Sequence, residues 1–429
     1  MTSRTAVMEA VEKLNYRVTI GDVAAQSGLD LNTAQREVLA LASETGGNLQ
    51  VAESGEIAYK FAPDFRNILI SRSFKLQVKE WLKGAWKWVF YGIRISFGLL
   101  LIVSIVIVVL GIVAATIAIQ SQGRSNNDRD DRRSDRGGGG GFIWLGGWGN
   151  SFGNPFMMFN PYYYEPEQVR QRDPNEMGFL EGIFSFLFGD GNPNTDLEEK
   201  RWREIASMIR TNSGVVVAEQ IAPYLDETSR LEGDEYFVIP VLAKFNGFPE
   251  VSDEGTIAYK FPELQKVASK RFASTAGSYL QEKLWQFSQA SSGKIAIAIG
   301  LGVFYLVASL YLGSLLGDPR LAKSLVGFLG FINAAYGFLL GYAVLFLSTP
   351  LVRYFVIQYL NRGISDRNAK RSARAEQLQK PSTTLREKLN FARNFATQQE
   401  VIDQTNLAYT TEQDLADQEY AKMLKESKE

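Results

Sequence analysis

The chain has 429 residues, with 46 Lys and Arg against 47 Asp and Glu, and contains neither cysteine nor histidine. That absence excludes disulfides, thiol redox chemistry, Cys/His zinc sites, Cys-ligated iron–sulfur clusters, His-ligated haem and Ser–His or Cys–His nucleophile systems. Carboxylate–oxygen metal sites and Lys, Tyr or carboxylate chemistry stay open. A mean hydropathy of −0.11 averages very apolar runs with charged soluble parts, and the length leaves room for two or three domains.

The opening residues, MTSRTAVMEAVEKL, lack the apolar region of a signal peptide and are too acidic for a transit peptide, so membrane insertion is expected to rely on internal spans. Residues 1–64 have the grammar of a winged helix. A first helix covers Ala6–Leu14 and a short second one Asp22–Gln26. Asp30 caps a third, Leu31–Ser43, whose apolar positions Leu31, Ala34, Val38 and Leu41 share a face. Gly46-Gly47 stops it, and Asn48–Ala52 and Ile57–Phe61 form a hairpin turned at Glu53-Ser54-Gly55.

Residues 65–94 read as a basic amphipathic helix. Lys75, Lys79, Lys83, Lys87 and Arg94 are interleaved with Trp81 and Trp86, the pattern of a membrane interface facing anionic head groups. Residues 95–119 are uncharged and make about 37 Å of helix, enough to cross a hydrocarbon core of about 30 Å. Residues 120–141 alternate Arg, Asp, Asn and Ser and end in glycines, the composition of a flexible linker. Residues 142–199 open on FIWLGGWGNSFGNPFMMFNPYYY, too broken for a plain span and too apolar for water, which fits an interfacial or re-entrant segment. A short amphipathic helix over 177–188 follows. In Asp190, Asn192, Asn194 and Asp196 the alternation of a calcium loop appears, but Thr195 stands where glycine is needed and Arg201 where a bidentate Glu is needed. A helix cap and turn is the expected reading.

Residues 200–262 repeat the first module. At an offset of 200, GEIAYKF (55–61) becomes GTIAYKF (255–261), and nine positions between Glu37 and Phe61 are identical to their counterparts, Gly47/Gly247 among them. Each copy is followed by helical pattern and then by an apolar run, so a module of soluble domain, helix and membrane span has been duplicated. Pro240 falls inside the third helix of the second copy and is expected to kink it or delay its start. A connecting helix is expected over 263–294, spans over 295–316 and 324–347, and a basic juxtamembrane helix with a polar tail over 348–429. Pro350 is expected to interrupt the helix, and Arg353 and Arg362 to face head groups. Small residues four apart, including Gly300, Gly313, Gly337 and Gly341, predict close helix–helix packing, with Asn333 bonding to a neighbouring helix.

The expected fold class is thus a mainly α membrane protein with two winged-helix-like α+β domains and three transmembrane helices. Three spans put the termini on opposite sides of a membrane. Either 142–164 completes a return crossing or the first module faces the other compartment; the duplication favours both copies on one side.

Charge separates the functional classes. Residues 1–64 hold five basic and nine acidic residues, and residues 200–262 seven and ten, so both modules repel phosphates and nucleic acid is not the expected partner. A membrane-tethered transcription regulator is the rival reading. A small transporter or channel is another, weakened because no span carries a charge in its middle. No residue stands out as catalytic or as a cofactor or metal ligand. The expectation is a non-enzymatic membrane protein whose modules contact proteins of a membrane complex, bound also to anionic lipids and open to self-association.

ISFGLLLIVSIVIVV, the Gly-rich aromatic segment ending in PYYY, and FLEGIFSFLFGDGNPN resemble a family of unknown function shared by cyanobacteria and plant chloroplasts, over most of residues 15–360. FLFGDGNPN is the most specific piece. Plant members are sometimes labelled iron–sulfur cluster biosynthesis proteins; with no Cys or His to hold a cluster, that label does not carry over. The resemblance implies a photosynthetic membrane, the thylakoid (or plasma membrane) of a cyanobacterium, and the basic stretches 65–94 and 353–374 predict by the positive-inside rule that the modules are mainly cytoplasmic.

Overall fold

The computed structural model describes residues 2–72, 74–123, 177–226, 235–268, 276–322, 325–396, 400–402 and 407–414. The chain divides into two compact units: residues 1–88, 192–285 and 356–429 form the first, and residues 89–191 and 286–355 the second.

In the first unit both copies keep one element order. Copy one runs α1 (Ser3–Lys13), β1 (Arg17–Val18), α2 (Ile20–Ser27), α3 (Leu31–Thr45), β2 (Asn48–Ala52) and β3 (Ile57–Lys60), and α4 (Phe65–Arg72) follows it. Its third helix starts where Asp30 accepts from the Thr33 amide at 2.9 Å and stops at Gly46 with φ 71°. Copy two runs α7 (Leu197–Thr211), β4 (Val215–Val216), α8 (Ala218–Ile221), α9 (Ile239–Phe245), β5 (Phe248–Val251) and β6 (Ile257–Lys260). Pro240 sits in the first turn of α9, after a 3-10 turn at Tyr236–Val238, so this helix begins late.

The sheets match strand for strand. Val18 pairs with Tyr59 and Val216 with Tyr259; Leu49 pairs with Tyr59 and Pro249 with Tyr259. The offset is therefore 198 at the first strand and 200 at the hairpin, the extra two residues falling between. The repeated Gly and Phe form one packing pair: a Cβ on Gly47 would come within 3.0 Å of the Phe61 ring, and one on Gly247 would strike Phe261. Burying each such ring contributes about 2–3 kcal/mol.

The copies share one hydrophobic core. Val7, Val11, Val23, Ala24 and Leu41 of copy one belong to the same buried cluster as Ile205, Ile209, Ile221, Val241 and Phe261 of copy two. After β6 the chain makes α10 (Pro262–Gln265) and β7 (Lys266–Val267). The connecting helix expected over 263–294 is not formed; residues 276–291 hold neither helix nor strand until α11 begins at Ser292. Several of their backbone groups, those of Glu282, Lys283 and Trp285 among them, are taken by side chains instead.

The C-terminal residues bind both copies. Helix α13 (Thr383–Phe395) lays Leu385 and Ala392 against Val215, Val217 and Ala258 of copy two. Strand β8 (Glu400–Val401) pairs in parallel with β7, and β9 (Leu407–Thr410) extends the first sheet to the order β1-β3-β2-β9.

α5 (Phe74–Gly123), which enters the second unit at Val89, belongs there with α6 (Phe179–Phe188), α11 (Ser292–Leu316) and the first part of α12 (Phe328–Gln379). Three of these are long and apolar enough to cross a membrane by length and composition, over Gly84–Ser121, Ser292–Leu316 and Phe328–Gln379. Ala298, Gly302, Tyr305, Ser309 and Leu312 repeat at alternating spacings of four and three and give α11 its buried face. On α12, Ile332, Leu339, Ala343 and Phe346 do the same. Pro350 does not end α12, which continues through it to Gln379; one proline removes a single helical hydrogen bond, and the flanking turns hold. Short α6 packs beside the early part of α5, where a Cβ on Gly98 would lie 2.9 Å from Leu180. The 142–164 segment lies outside the described residues.

Candidate functional site

Two polar knots and one copy–copy interface organise the chemistry-bearing side chains. The interface centres on Asp22, buried at the start of α2. One of its oxygens accepts from the Thr19 amide at 2.9 Å while the Thr19 hydroxyl accepts from the Asp22 amide at 3.0 Å, a capping box. That oxygen also accepts from the Ala268 amide at 2.9 Å, and the other takes the Arg210 guanidinium of copy two at 2.8 Å. Helix α2 lies close to α10 and to α7 because glycine permits it. A Cβ on Gly21 would collide with the Glu263 carbonyl, and one on Gly28 would lie 2.7 Å from that of Glu199. In copy two the capping position holds Gln220, whose Oε1 accepts from the Val217 amide at 3.0 Å. Of the two copies, it is copy one that carries the ionic version, and Arg210 of copy two reaches it.

The first knot, in the same unit, holds residues 280–285, which have neither helix nor sheet partners, through side chains. Asn194, Asn361 and Asn368 each bind both backbone groups of one residue. Asn368 takes the amide of Glu282 at 3.0 Å and donates to its carbonyl at 2.9 Å; Asn361 does the same for Trp285 at 2.8 and 2.9 Å, and Asn194 for Lys283 at 2.8 Å each way. Asn361 and Asn368 lie seven apart, on one face of α12. On that side Arg367 grips Glu282 at 2.8 and 2.6 Å, and Arg371, only 1% exposed, bridges Glu282 and Asp226 while donating to the Leu280 carbonyl at 3.0 Å. These guanidinium bonds, Arg367 first, hold the Glu282 carboxyl below its ordinary range. Nearby Glu204 is pushed up by burial, against the pull of Lys200.

The second knot lies in the other unit and uses the FLFGDGNPN stretch. Asp190 accepts from Arg94 of α5 at 2.6 Å, from the Ser185 hydroxyl at 2.5 Å and from the Gln289 amide at 2.9 Å. Arg353 caps the end of α6 through the carbonyls of Ser185 and Phe186 at 3.2 and 3.0 Å, donates to Phe287 and lies over its ring. Arg94 also stacks on Phe184 at 5.6 Å. The resemblance to a calcium loop thus resolves into donors on Asp190 and an amide clamp at Asn194.

The interface residues divide accordingly. Arg94 and Arg353, expected at head groups, turn inward onto Asp190 and the α6 carbonyls, because those acceptors lie within reach of their helices. Trp81 and Trp86 are 71% and 64% exposed, and Lys87 and Arg362 are also exposed. The side chains of Lys75, Lys79 and Lys83 lie outside the described residues. Of the small-residue positions, Gly313 sits against the Tyr336 hydroxyl, whereas Gly300, Gly337 and Gly341 face open space. Asn333 is exposed, one residue past inward-facing Ile332 and so rotated off the packed face. The close approaches fall instead at Gly98, Gly111 and Gly302. Asp22 and the three asparagines were missed from sequence, where each reads as a cap or a surface amide. Among the described residues no three acidic side chains cluster to hold a metal.

These features define a mainly helical chain with small antiparallel sheets and three candidate transmembrane helices. It belongs to the family of an uncharacterized chloroplast protein of Arabidopsis thaliana, At5g03900. The two are 38% identical over 434 residues, covering 97% of this chain and 80% of the plant protein. No family profile and no solved structure matches the chain.

Proposed function

We propose that the chain is a non-enzymatic integral membrane protein. Its two winged-helix modules form one acidic protein-contact platform on one side of a photosynthetic membrane, the thylakoid, and serve there as a scaffold or assembly and maintenance factor for a membrane complex. The observation that carries this reading is the shared core of the copies, locked by Asp22 and Arg210. A pair fused through a buried interface acts as one rigid surface, not as two mobile readers. Both modules are net acidic, which suits protein partners and disfavours DNA. The chloroplast relative supports the photosynthetic setting. Lys87, Trp81 and Trp86 would meet anionic lipid head groups beside the spans.

Co-purification from mild detergent tests this directly. A membrane complex should accompany the wild-type protein and be recovered in lower yield when Asp22→Ala loosens the interface between the copies. Repeated recovery of the chain alone, or salt-sensitive DNA binding by the full-length protein, would sink the proposal.

A further inference from the structure

The second copy exposes an apolar face that the first does not have. Ile239, Pro240 and Ala243 share one surface of α9, Tyr236 stands in the 3-10 turn before it, and all four are exposed, Tyr236 at 76% and Ile239 at 53%. At the same offset copy one carries Arg36, Leu39, Ala40 and Ser43, a surface broken by polar groups. The wing strand that follows α9 adds Phe248, Pro249 and Val251, the last 61% exposed. Exposed apolar side chains thus stand on both the helix and the wing strand of copy two, the kind of surface that marks an interaction site.

Copy one shows what does not bind here. Its wing edge is covered by β9, using the Leu49 amide to the Thr411 hydroxyl at 2.8 Å and the Thr411 amide to the Leu49 carbonyl at 3.0 Å. The matching position in copy two is Pro249, paired with Tyr259 as Leu49 is with Tyr59. Proline has no amide to give, so this edge is closed to an added strand. The occupant must bind through side chains, and a face of helical spacing packs well against another helix.

Charge names the rest of it. Among the described carboxylates near this face, Asp226 and Glu235 are taken by Arg371 and Lys388, so its acidic flank is that of the second wing. Glu250, Asp253 and Glu254 lie along the wing, the last two exposed. We infer that the α9 face and the second wing are the docking surface for an amphipathic helix of a partner protein, its apolar stripe seated on Tyr236 and Ile239 and its rim of Lys and Arg against the acidic flank. This inference rests on the platform reading and assigns it a surface and a partner chemistry.

The test uses the full-length protein in phosphatidylcholine nanodiscs and two labelled 18-residue peptides sharing one leucine face, one rimmed with lysine and one with glutamate. The lysine-rimmed peptide should bind at least tenfold tighter than the other. Ile239→Asp and Val251→Asp, both exposed and so compatible with folding, should each weaken it about tenfold, while Leu39→Asp in copy one leaves it unchanged. Equal binding of the two peptides, insensitivity to both second-copy variants, or Ile239-dependent binding of duplex DNA would overturn the inference. Co-purification with Ile239→Asp separates the two claims: a retained complex without peptide binding refutes this surface and leaves the platform standing.

Discussion

The Asp22 carboxylate and the Arg210 guanidinium, 188 positions apart in the chain, meet at 2.8 Å across the boundary between the two copies. Both are largely buried, and Asp22 also closes its own helix cap and holds the Ala268 amide. A buried pair of this kind adds little over a well-packed apolar pair, but removing one partner strands a charge. Asp22→Ala should therefore cost about 3–5 kcal/mol. A thermal melt of the detergent-solubilised protein would register the loss, and Arg210→Met in the same background should recover part of it.

Close approach at Gly21 makes a second, independent test of the same interface. A methyl group there meets the Glu263 carbonyl, which belongs to backbone and cannot swing aside. Gly21→Ala should destabilise by about 1–3 kcal/mol through overpacking. The change at Gly46, where a Cβ meets open space, is limited to backbone strain at its φ of 71°. Comparing the two melts separates contact from conformation.

The asparagine clamps predict a loss confined to residues 280–285. Asn361→Ala and Asn368→Ala each leave a backbone amide and carbonyl without their partner. Each should cost about 1–3 kcal/mol. Hydrogen exchange should speed up at Trp285 for the first variant and at Glu282 for the second, with the Val18 and Tyr59 amides unaffected.

Two carboxylates near Arg371 should respond to pH with opposite signs. Glu282 is held below its ordinary value of 4.5, so its contribution is present above that value and is lost as pH falls through the lowered one. Glu282→Gln should be destabilising at neutral pH, and the gap from wild type should close in acid. Burial raises Glu204 above 4.5, so its ionised form is penalised once pH exceeds the raised value, and below 4.5 there is no penalty. Glu204→Gln should be stabilising near pH 8 and neutral near pH 4. Melts across that range read both.

The element order of each copy was legible in the sequence because it rests on local signals: the Asp30 cap, the Gly46 stop and the Gly55 turn act within a few residues. The repeat of Gly47 and Phe61 at Gly247 and Phe261 was visible as identity, but its cause, a glycine making room for a ring, lies in the packing between residues 14 apart. What the pattern could not carry was long-range pairing. Residues 276–285 contain helix formers such as Leu280, Glu282 and Lys283, yet amides up to 89 positions away capture their backbone, and tertiary bonds override propensity. Arg94 and Arg353 looked like interface anchors for the same reason: charge near a span has two uses, and only the position of Asp190 and the α6 carbonyls chooses between them. The outward turn of Asn333 and Gly337 follows from which α12 stripe is packed, a choice made by α11 and α5 and not by α12 alone.

The central claim is that the two copies form one platform on one face of the membrane. In a chain without cysteine, Ser54→Cys in the first wing and Glu254→Cys in the second, both exposed, can be labelled singly with an impermeant maleimide in sealed vesicles. The shared core requires both to label from the same side. Labelling from opposite sides would separate the copies across the membrane and contradict the account.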